Sequence, residues 1–395
     1  IQIKAAQMPE EAQMKQENTS WKVDLRKKEL PDTGAIRFAA GLGIGWNLGN
    51  TLDAFTGSGF LLSVDQEPAF DDTFTETAWQ PVKTTPELIH AVKEAGFTSL
   101  RLPVSWHNHV DRDYNISPAW LDRVQEIVDY GMQEGLYVIL NIHHDNDENV
   151  HCLYPDSAHL EQSEKFVRRI WQQAAERFAA YGDHLIFEGM NEPRLVGHAS
   201  EWSVNMADQE IRDALECINR LNQVFVDSVR SAGGENRTRY LSCPGYAASP
   251  DGALCDAFSL PEDLPENDHR LMVTVHAYTP YDFALNEAGT DVFDMSQVSS
   301  TRDIDAILGR LYDRFVKEGT PVLLDEMGSR DKNGNLSSRT EHAAYFTARA
   351  LAYGIPVLWW DNGAFEGQGE LFGIIDRKTC ERRYPEIITA MMDQK

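Results

Sequence analysis

Two glutamates stand where a pair of carboxylates could do chemistry. Glu192, inside Asn191-Glu192-Pro193, follows the apolar run 184–190 (HLIFEGM), and Glu326 follows the run 321–325 (PVLLD). Short apolar runs of this kind read as buried strands, which puts each carboxylate at the C-terminal tip of a different strand. Cleaving a glycosidic bond needs such a pair. One carboxyl protonates the leaving oxygen, while the other attacks or stabilises an oxocarbenium-like anomeric carbon. Strand tips at one face of a barrel can hold two such groups facing each other.

The elements that must position them recur along the chain. Strand-like runs occupy 43–47, 99–103, 137–143, 185–188, 240–243, 271–276, 322–325 and 356–360, eight in all. Helix-like stretches at about 86–95, 118–135, 161–181, 205–232, 303–317, 339–353 and 384–393 separate or follow them. Pro86 and Pro118 suit first helical turns, and Gly96, Gly135 and Gly319 suit helix ends. Only the fifth-to-sixth connection lacks a long helical pattern. Eight buried strands alternating with helices predict an α/β fold, a (β/α)8 TIM barrel spanning 36–395, with 1–35 as an N-terminal leader segment packed on it. A doubly wound sheet is the competing architecture, but 41–45 (GLGIG) lacks the GxGxxG spacing of a phosphate-binding turn. The long loops 48–84, 144–160, 193–204 and 278–302 gather on one rim and would build a cleft.

At the strand tips the chain offers Asn47, Arg101, His143, His144, Asn191, Glu192, His276, Tyr278, Glu326, Trp359 and Trp360. A lone strand-end Arg is usually an ion-pair partner and a lone His a satisfied core group. Polar groups on nearly every tip are another matter, because burying so many without a use is costly. Glu188, inside its strand, is expected to be a buried partner for Arg101 or a His. Asp325 is expected to point away from the Glu326 side if its strand alternates strictly.

Segments 45–50 (GWNLGN), 76–79 (ETAW), 101–106 (RLPVSW), 141–144 (NIHH), 187–193 (FEGMNEP), 275–278 (VHAY), 324–328 (LDEMG) and 358–363 (LWWDNG) together resemble glycoside hydrolase family 5, within clan A. The first and last resemble its subfamily 4 endoglucanases and xyloglucanases. The resemblance implies a retaining endo-β-1,4-glucanase that works through a covalent glycosyl-enzyme. The same mechanism on xyloglucan, mixed-linkage β-glucan, xylan or mannan is the alternative. It further implies Glu192 as acid/base and Glu326 as nucleophile, with Arg101 and Tyr278 on Glu326 and His276 on Glu192. Asn191, His143 and, less directly, His144 would bind sugar hydroxyls. Trp360 would be the stacking platform, although the residues alone leave Trp359 and Trp360 both open. Trp79, Asn47, Asn50 and His107 are candidate contacts further along the glycan. Arg101 should keep Glu326 ionised, and the neighbouring negative charge should raise the pKa of Glu192.

Composition sets the remaining bounds. A net charge of −26 with no basic cluster argues against nucleic acid. Nine Trp and thirteen Tyr suit a neutral polysaccharide partner. No apolar run reaches membrane-spanning length, so no membrane is expected. The chain starts at Ile1, and a secreted, extracellular protein whose leader is already missing is expected. No Cys or Cys/His spacing suits zinc, so neither metal nor cofactor is expected. Cys243 and Cys255 could pair across a loop. A monomer is expected. A dead, glycan-binding barrel would have lost a glutamate or Arg101, and a Schiff-base lyase barrel would need a strand-tip Lys. Neither pattern is present.

Overall fold

The computed structural model describes residues 20–57 and 73–395. Phe60 and Phe70, aromatics of the long loop 48–84, fall outside these residues. Eight parallel strands close a barrel in sequence order: β1 (Ile44–Asn47), β2 (Ser99–Leu102), β3 (Tyr137–Asn141), β4 (Leu185–Glu188), β5 (Leu241–Pro244), β6 (Leu271–His276), β7 (Val322–Met327) and β8 (Val357–Trp359). Around them run α1 (Gly34–Leu42), α2 (Pro86–Glu94), α3 (Pro118–Gln133), α4 (Leu160–Arg177), α5 (Gln209–Ser231), the short α6 (Pro250–Leu254) and α7 (Tyr281–Ala284), then α8 (Val298–Arg314), α9 (Leu336–Ala352) and α10 (Pro385–Met392). The short α6 is the helix that the fifth-to-sixth connection hides from a periodicity reading. First-turn prolines open α2, α3, α6 and α10. Gly96, Gly135 and Gly319 take positive φ where their helices end, a conformation that costs glycine little.

The barrel interior is graded from apolar to polar. Helix α1 plugs the N-terminal end, where its Ala35 and Leu42 cluster with Ile139, Ile186, Met272, Leu323 and Leu358 of five strands. Above them sit small groups such as Ser99, Ser242 and Thr274. A Cβ on Gly45 would lie 2.2 Å from the Ser99 hydroxyl and 2.4 Å from Leu358, so only glycine fits that layer of β1. The uppermost layer is polar and forms the floor of the site. Chain residues after Ser20 run along the outside: Trp21 N–H donates to Asp393, Lys28 N–H to the Ala352 carbonyl, and Tyr312 Oη to the Glu29 carbonyl.

Two expectations fail here. Strict alternation on β7 does not hold. Against β6, Val275 pairs with Leu324 but His276 pairs with Glu326, and against β8 three steps from Leu324 to Met327 match two from Val357 to Trp359. This bulge inserts one residue and re-aims the side chains beyond it. Asp325 therefore points into the barrel instead of away from Glu326, and both carboxylates reach the same interior. All five cysteines are free, so Cys243 and Cys255 do not pair. Cys243 lies in the core on β5, while the Cys255 thiol sits against Met206.

Candidate active site

Arg101 organises the floor. Its side chain rises from β2 and is fully buried. Nε and Nη2 donate to the two oxygens of Glu188, each at 2.7 Å. Nη1 donates to Glu326 Oε1 at 2.5 Å and to Asn47 Oδ1 at 3.0 Å, and Nη2 also donates to Asn191 Oδ1 at 2.8 Å. Burial disfavours the cation, but Glu188, Asp325 and Glu326 outweigh it and push the guanidinium well above its ordinary pKa. Glu188 is thus the buried partner expected of it. Burial, reinforced by the charge of Asp325, raises Glu188 to about 8 against the pull of Arg101.

Glu326 receives a second hydrogen bond from Tyr278 Oη, 2.7 Å from Oε2. Burial and then the charge of Glu326 push Tyr278 well above the usual phenol range, so the phenol keeps its proton and remains a donor. Glu192 lies across the mouth on the β4 tip, and an oxygen of each glutamate falls within 4.8 Å of the other. His276 Nδ1 stands 2.7 Å from Glu192 Oε1 and 3.6 Å from Glu326 Oε2. Arg194, two residues beyond Glu192, donates to the Glu192 carbonyl at 3.1 Å and holds Nη1 3.8 Å from Oε2. The expected rise of Glu192 does not occur. Burial does favour its neutral form, but the hydrogen bond and charge of His276, then Arg194 and His144, hold it below the ordinary glutamate value. The neighbouring carboxylate is visible in the sequence as a pair with Glu192, whereas His276, the largest of these influences, meets it only in the folded barrel.

Polar groups and aromatic rings surround the pair. Asn191 spends its carbonyl on Arg101, which leaves its amide hydrogens for the cleft. His143 Nδ1 lies 3.0 Å from Asn141 Nδ2, and its ring is parallel to the Trp360 indole at 5.8 Å. His144 is half-exposed beside Trp79, with ring centroids 5.5 Å apart. Burial depresses both histidines, His144 to about 4, so both are neutral imidazoles able to exchange hydrogen bonds with hydroxyls. Phe55, His143, His144, Asn146, Asp147 and Arg194 bound a depression of about 420 Å³ here. A Cβ on Gly49 would come within 2.8 Å of the Trp360 ring, so the β1 loop packs directly on the indole because residue 49 is glycine. Asn50 is half-buried, with positive φ, and its N–H donates to Asp53.

Three other candidates are fully buried. The Trp359 indole is fully buried in the core and donates Nε1–H to the Phe372 carbonyl, so of the two indoles only Trp360 retains some exposure. Asn47 is fully buried and donates to the Asp325 and Trp359 carbonyls while accepting from Arg101. It supports the site from below. His107 is fully buried with Nδ1 2.9 Å from Asp145 and its ring centroid 5.1 Å from that of Phe55. Asp325, Arg194 and Asp53 are the residues that sequence reasoning missed. Arg194 alone carried a signal, its adjacency to Asn191-Glu192-Pro193.

Asp53, His143 and His144 present ligand atoms within 4.8 Å of one another. A metal is poorly served there, because the Asp53 carboxylate already accepts the Asn50 and Thr51 N–H groups and His143 Nδ1 is engaged by Asn141. The clusters containing His276 share their carboxylates with Arg101 or Tyr278.

The sequence model of the Cellulase (glycosyl hydrolase family 5) family matches residues 64–366. A cellulase/esterase, CelE, of Acetivibrio thermocellus is 41% identical over 375 residues, covering 93% of this chain but only 41% of that protein. Endoglucanase B of Ruminococcus albus is 40% identical over 359 residues, covering 90% of this chain and 80% of that one. Among solved structures, a GH5 family lichenase from Caldicellulosiruptor sp. F32 is 50% identical with a TM-score of 0.89, covering 94% of this chain and 98% of that chain. A GH5-4 broad specificity endoglucanase from Ruminococcus champanellensis with bound cellotriose is 40% identical with a TM-score of 0.81, covering 92% of this chain and 100% of that chain.

Proposed function

The chain belongs to glycoside hydrolase family 5, and from that premise we propose that it is a retaining endo-β-1,4-glucanase acting on β-glucan chains, with Glu326 as nucleophile and Glu192 as acid/base. The observation that carries the proposal is the carboxylate spacing. One oxygen of each within 4.8 Å of the other supports the roughly 5–5.5 Å of a double-displacement pair over the about 6.5–9.5 Å of an inverting one.

In the first step Glu326 attacks the anomeric carbon. The bond to the leaving sugar breaks, and the proton supplied through Glu192 goes to the departing oxygen. In the second step Glu192 takes a proton from water as the water oxygen displaces Glu326. Arg101 and Tyr278 hold the nucleophile in place. Asn191 hydrogen-bonds the sugar at the cleavage point, His143 and His144 bind its hydroxyls, and Trp360 lies beneath it. Exposed Trp79 and Trp202, on the loops after β1 and β4, suit an open groove that admits an internal stretch of polymer. A polysaccharide chain does not enter a cell intact, so secretion is part of the reading, and a monomer is proposed with it. Among the described residues no helix is long and apolar enough to cross a membrane. Mixed-linkage β-glucan belongs in the substrate range, because the solved relative at 50% identity is a lichenase. Xyloglucan, xylan and mannan remain comparison substrates.

The test is viscosity against reducing ends on carboxymethylcellulose and lichenan, with a 2-fluoro cellobioside to trap the intermediate. A fast fall in viscosity per bond cut, with the label on Glu326, is expected. A slow fall with one small product from the start, or a label elsewhere, would refute the proposal.

A further inference from the structure

We infer that Asp325 is a positioning residue for the catalytic proton: it fixes a hydrogen on Nε2 of His276, so that Nδ1 of the same ring exchanges its proton with Glu192. The inference rests on Glu192 being the acid/base residue.

Asp325 is fully buried, and among the described residues neither of its oxygens receives a hydrogen bond of good geometry. A buried carboxylate without a donor is costly. The nitrogens against it are His276 Nε2 at 3.2 Å and Arg101 Nε at 3.5 Å. Arg101 has already given its Nε–H to Glu188, so the hydrogens left for Asp325 are Nε2–H of His276 and the proton that Glu188 retains. Arg101 Nη2 stands 3.4 Å from the same Nε2, which would suit a bare nitrogen there. Yet both hydrogens of Nη2 are committed, one to Glu188 and one to Asn191. With Nε2 protonated toward Asp325, Nδ1 shares the remaining proton with Glu192 Oε1 across 2.7 Å.

The surrounding charges agree with this count. Four carboxylates (Glu188, Glu192, Asp325 and Glu326) face two cations, Arg101 and the imidazolium. Burial alone would strip the ring of its charge, but Glu326, then Asp325 and Glu192, hold it well above the ordinary histidine range. Glu188, at about 8, retains a proton in the same cluster. From β3, His143 is neutral. Arg194 and His144 face Glu192 itself. Tyr278 keeps its phenolic hydrogen on Glu326, and Glu370 is raised by burial.

The reaction makes Asp325 distinct from the other anions. As Glu326 bonds to the anomeric carbon, its charge disappears, and with it the largest electrostatic support for the imidazolium. The proton shared by His276 and Glu192 leaves on the departing sugar hydroxyl. When water attacks, its proton returns to that pair and Glu326 is released as a carboxylate. Asp325 alone keeps its charge throughout, so it holds the ring in one tautomer across both steps. The basic limb of the activity profile then belongs to the His276–Glu192 pair, and a negative charge at position 325 raises it.

The experiment compares kcat/KM against pH on soluble β-glucan for wild type, Asp325→Asn and Asp325→Glu. Asp325→Asn should move the basic limb to lower pH by roughly 1–3 units, and Asp325→Glu should restore most of that shift. A basic limb in Asp325→Asn that is unmoved or raised overturns the inference, because a purely structural residue would lower the rate without moving the limb. Histidine 15N NMR on the wild-type protein tests the same point if the variants do not fold. Nε2 of His276 should be protonated throughout about pH 5–8, and a neutral ring protonated only on Nδ1 overturns the inference. Glu192→Ala separates the two readings. If it retains full turnover of the polymer, the acid/base assignment itself fails. If it is inactive while Asp325→Asn keeps its limb, only the role of Asp325 fails.

Discussion

Replacing Arg101 with leucine should damage activity and stability together, each with its own pH signature. The side chain is fully buried and supplies five hydrogen bonds, two to Glu188 and one each to Glu326, Asn47 and Asn191. Removing one partner of a buried ion pair leaves the other uncompensated and costs about 3–5 kcal/mol. Without the guanidinium, protonation becomes the cheapest way to neutralise the nucleophile. The acid limb of kcat/KM should therefore move to higher pH by about 1–3 units. The same carboxylates set the sign for stability. Glu188 is already raised from 4.5 to about 8, and loss of Arg101 raises it further. Asp325, now held low chiefly by Arg101 against its burial, would lose that support. A group whose folded pKa lies above its unfolded one stabilises at low pH and loses that contribution as pH rises. The melting deficit of Arg101→Leu should thus be smallest at acid pH and should grow with pH, through the Asp325 range first and past about 8 last. Thermal melts and initial rates on soluble β-glucan across one pH series test both. Arg101→Lys should keep the acid limb near the wild-type position yet still lose rate, because an ammonium cannot make the two-pronged contact with Glu188. An unmoved acid limb in Arg101→Leu, with a melting deficit that is flat in pH, would show that Arg101 only packs.

Glu326→Gln should abolish turnover while calorimetry finds glycan affinity within a few-fold of wild type, since shape is kept and the attacking charge is lost. Glu192→Ala should be severely impaired on polymer, and azide should restore turnover of an activated aryl glycoside by replacing the missing base; no rescue would count against the assignment. Trp360→Ala should weaken oligosaccharide binding by about 2 kcal/mol, roughly 30-fold, whereas Trp359→Phe should lower the melting temperature and leave KM nearly unchanged.

The chemistry was legible where it depends on short stretches of chain. A carboxylate or an Arg at the end of an apolar run is placed at a strand tip by the run itself. Glu192, Glu326, Arg101, His276 and Tyr278 were all readable this way, and their meeting requires only that eight such strands close in order. The order of strands and helices was local information too, apart from α6, whose five residues give no periodicity.

Beyond the reach of local sequence lies everything that a neighbouring strand or a distant loop decides. Period-two alternation assigns a residue to one face only while the ladder is regular. The β7 bulge is set by pairing with β6 and β8, and it turned Asp325 inward against the pattern. Trp359 and Trp360 are equivalent as residue types. They were separated by Phe372 covering one and by the cleft and Gly49 meeting the other. Asn47 and His107 look available in the sequence, but Asp325 and Trp359, far away along the chain, take up the amide of Asn47, and Asp145 takes up Nδ1 of His107. The same holds for charge: the pKa of Glu192 is governed by His276, 84 residues away, as well as by its sequence neighbour Arg194. Residue type and position along a strand set which groups could act, whereas the distances that tune them exist only once the barrel has closed.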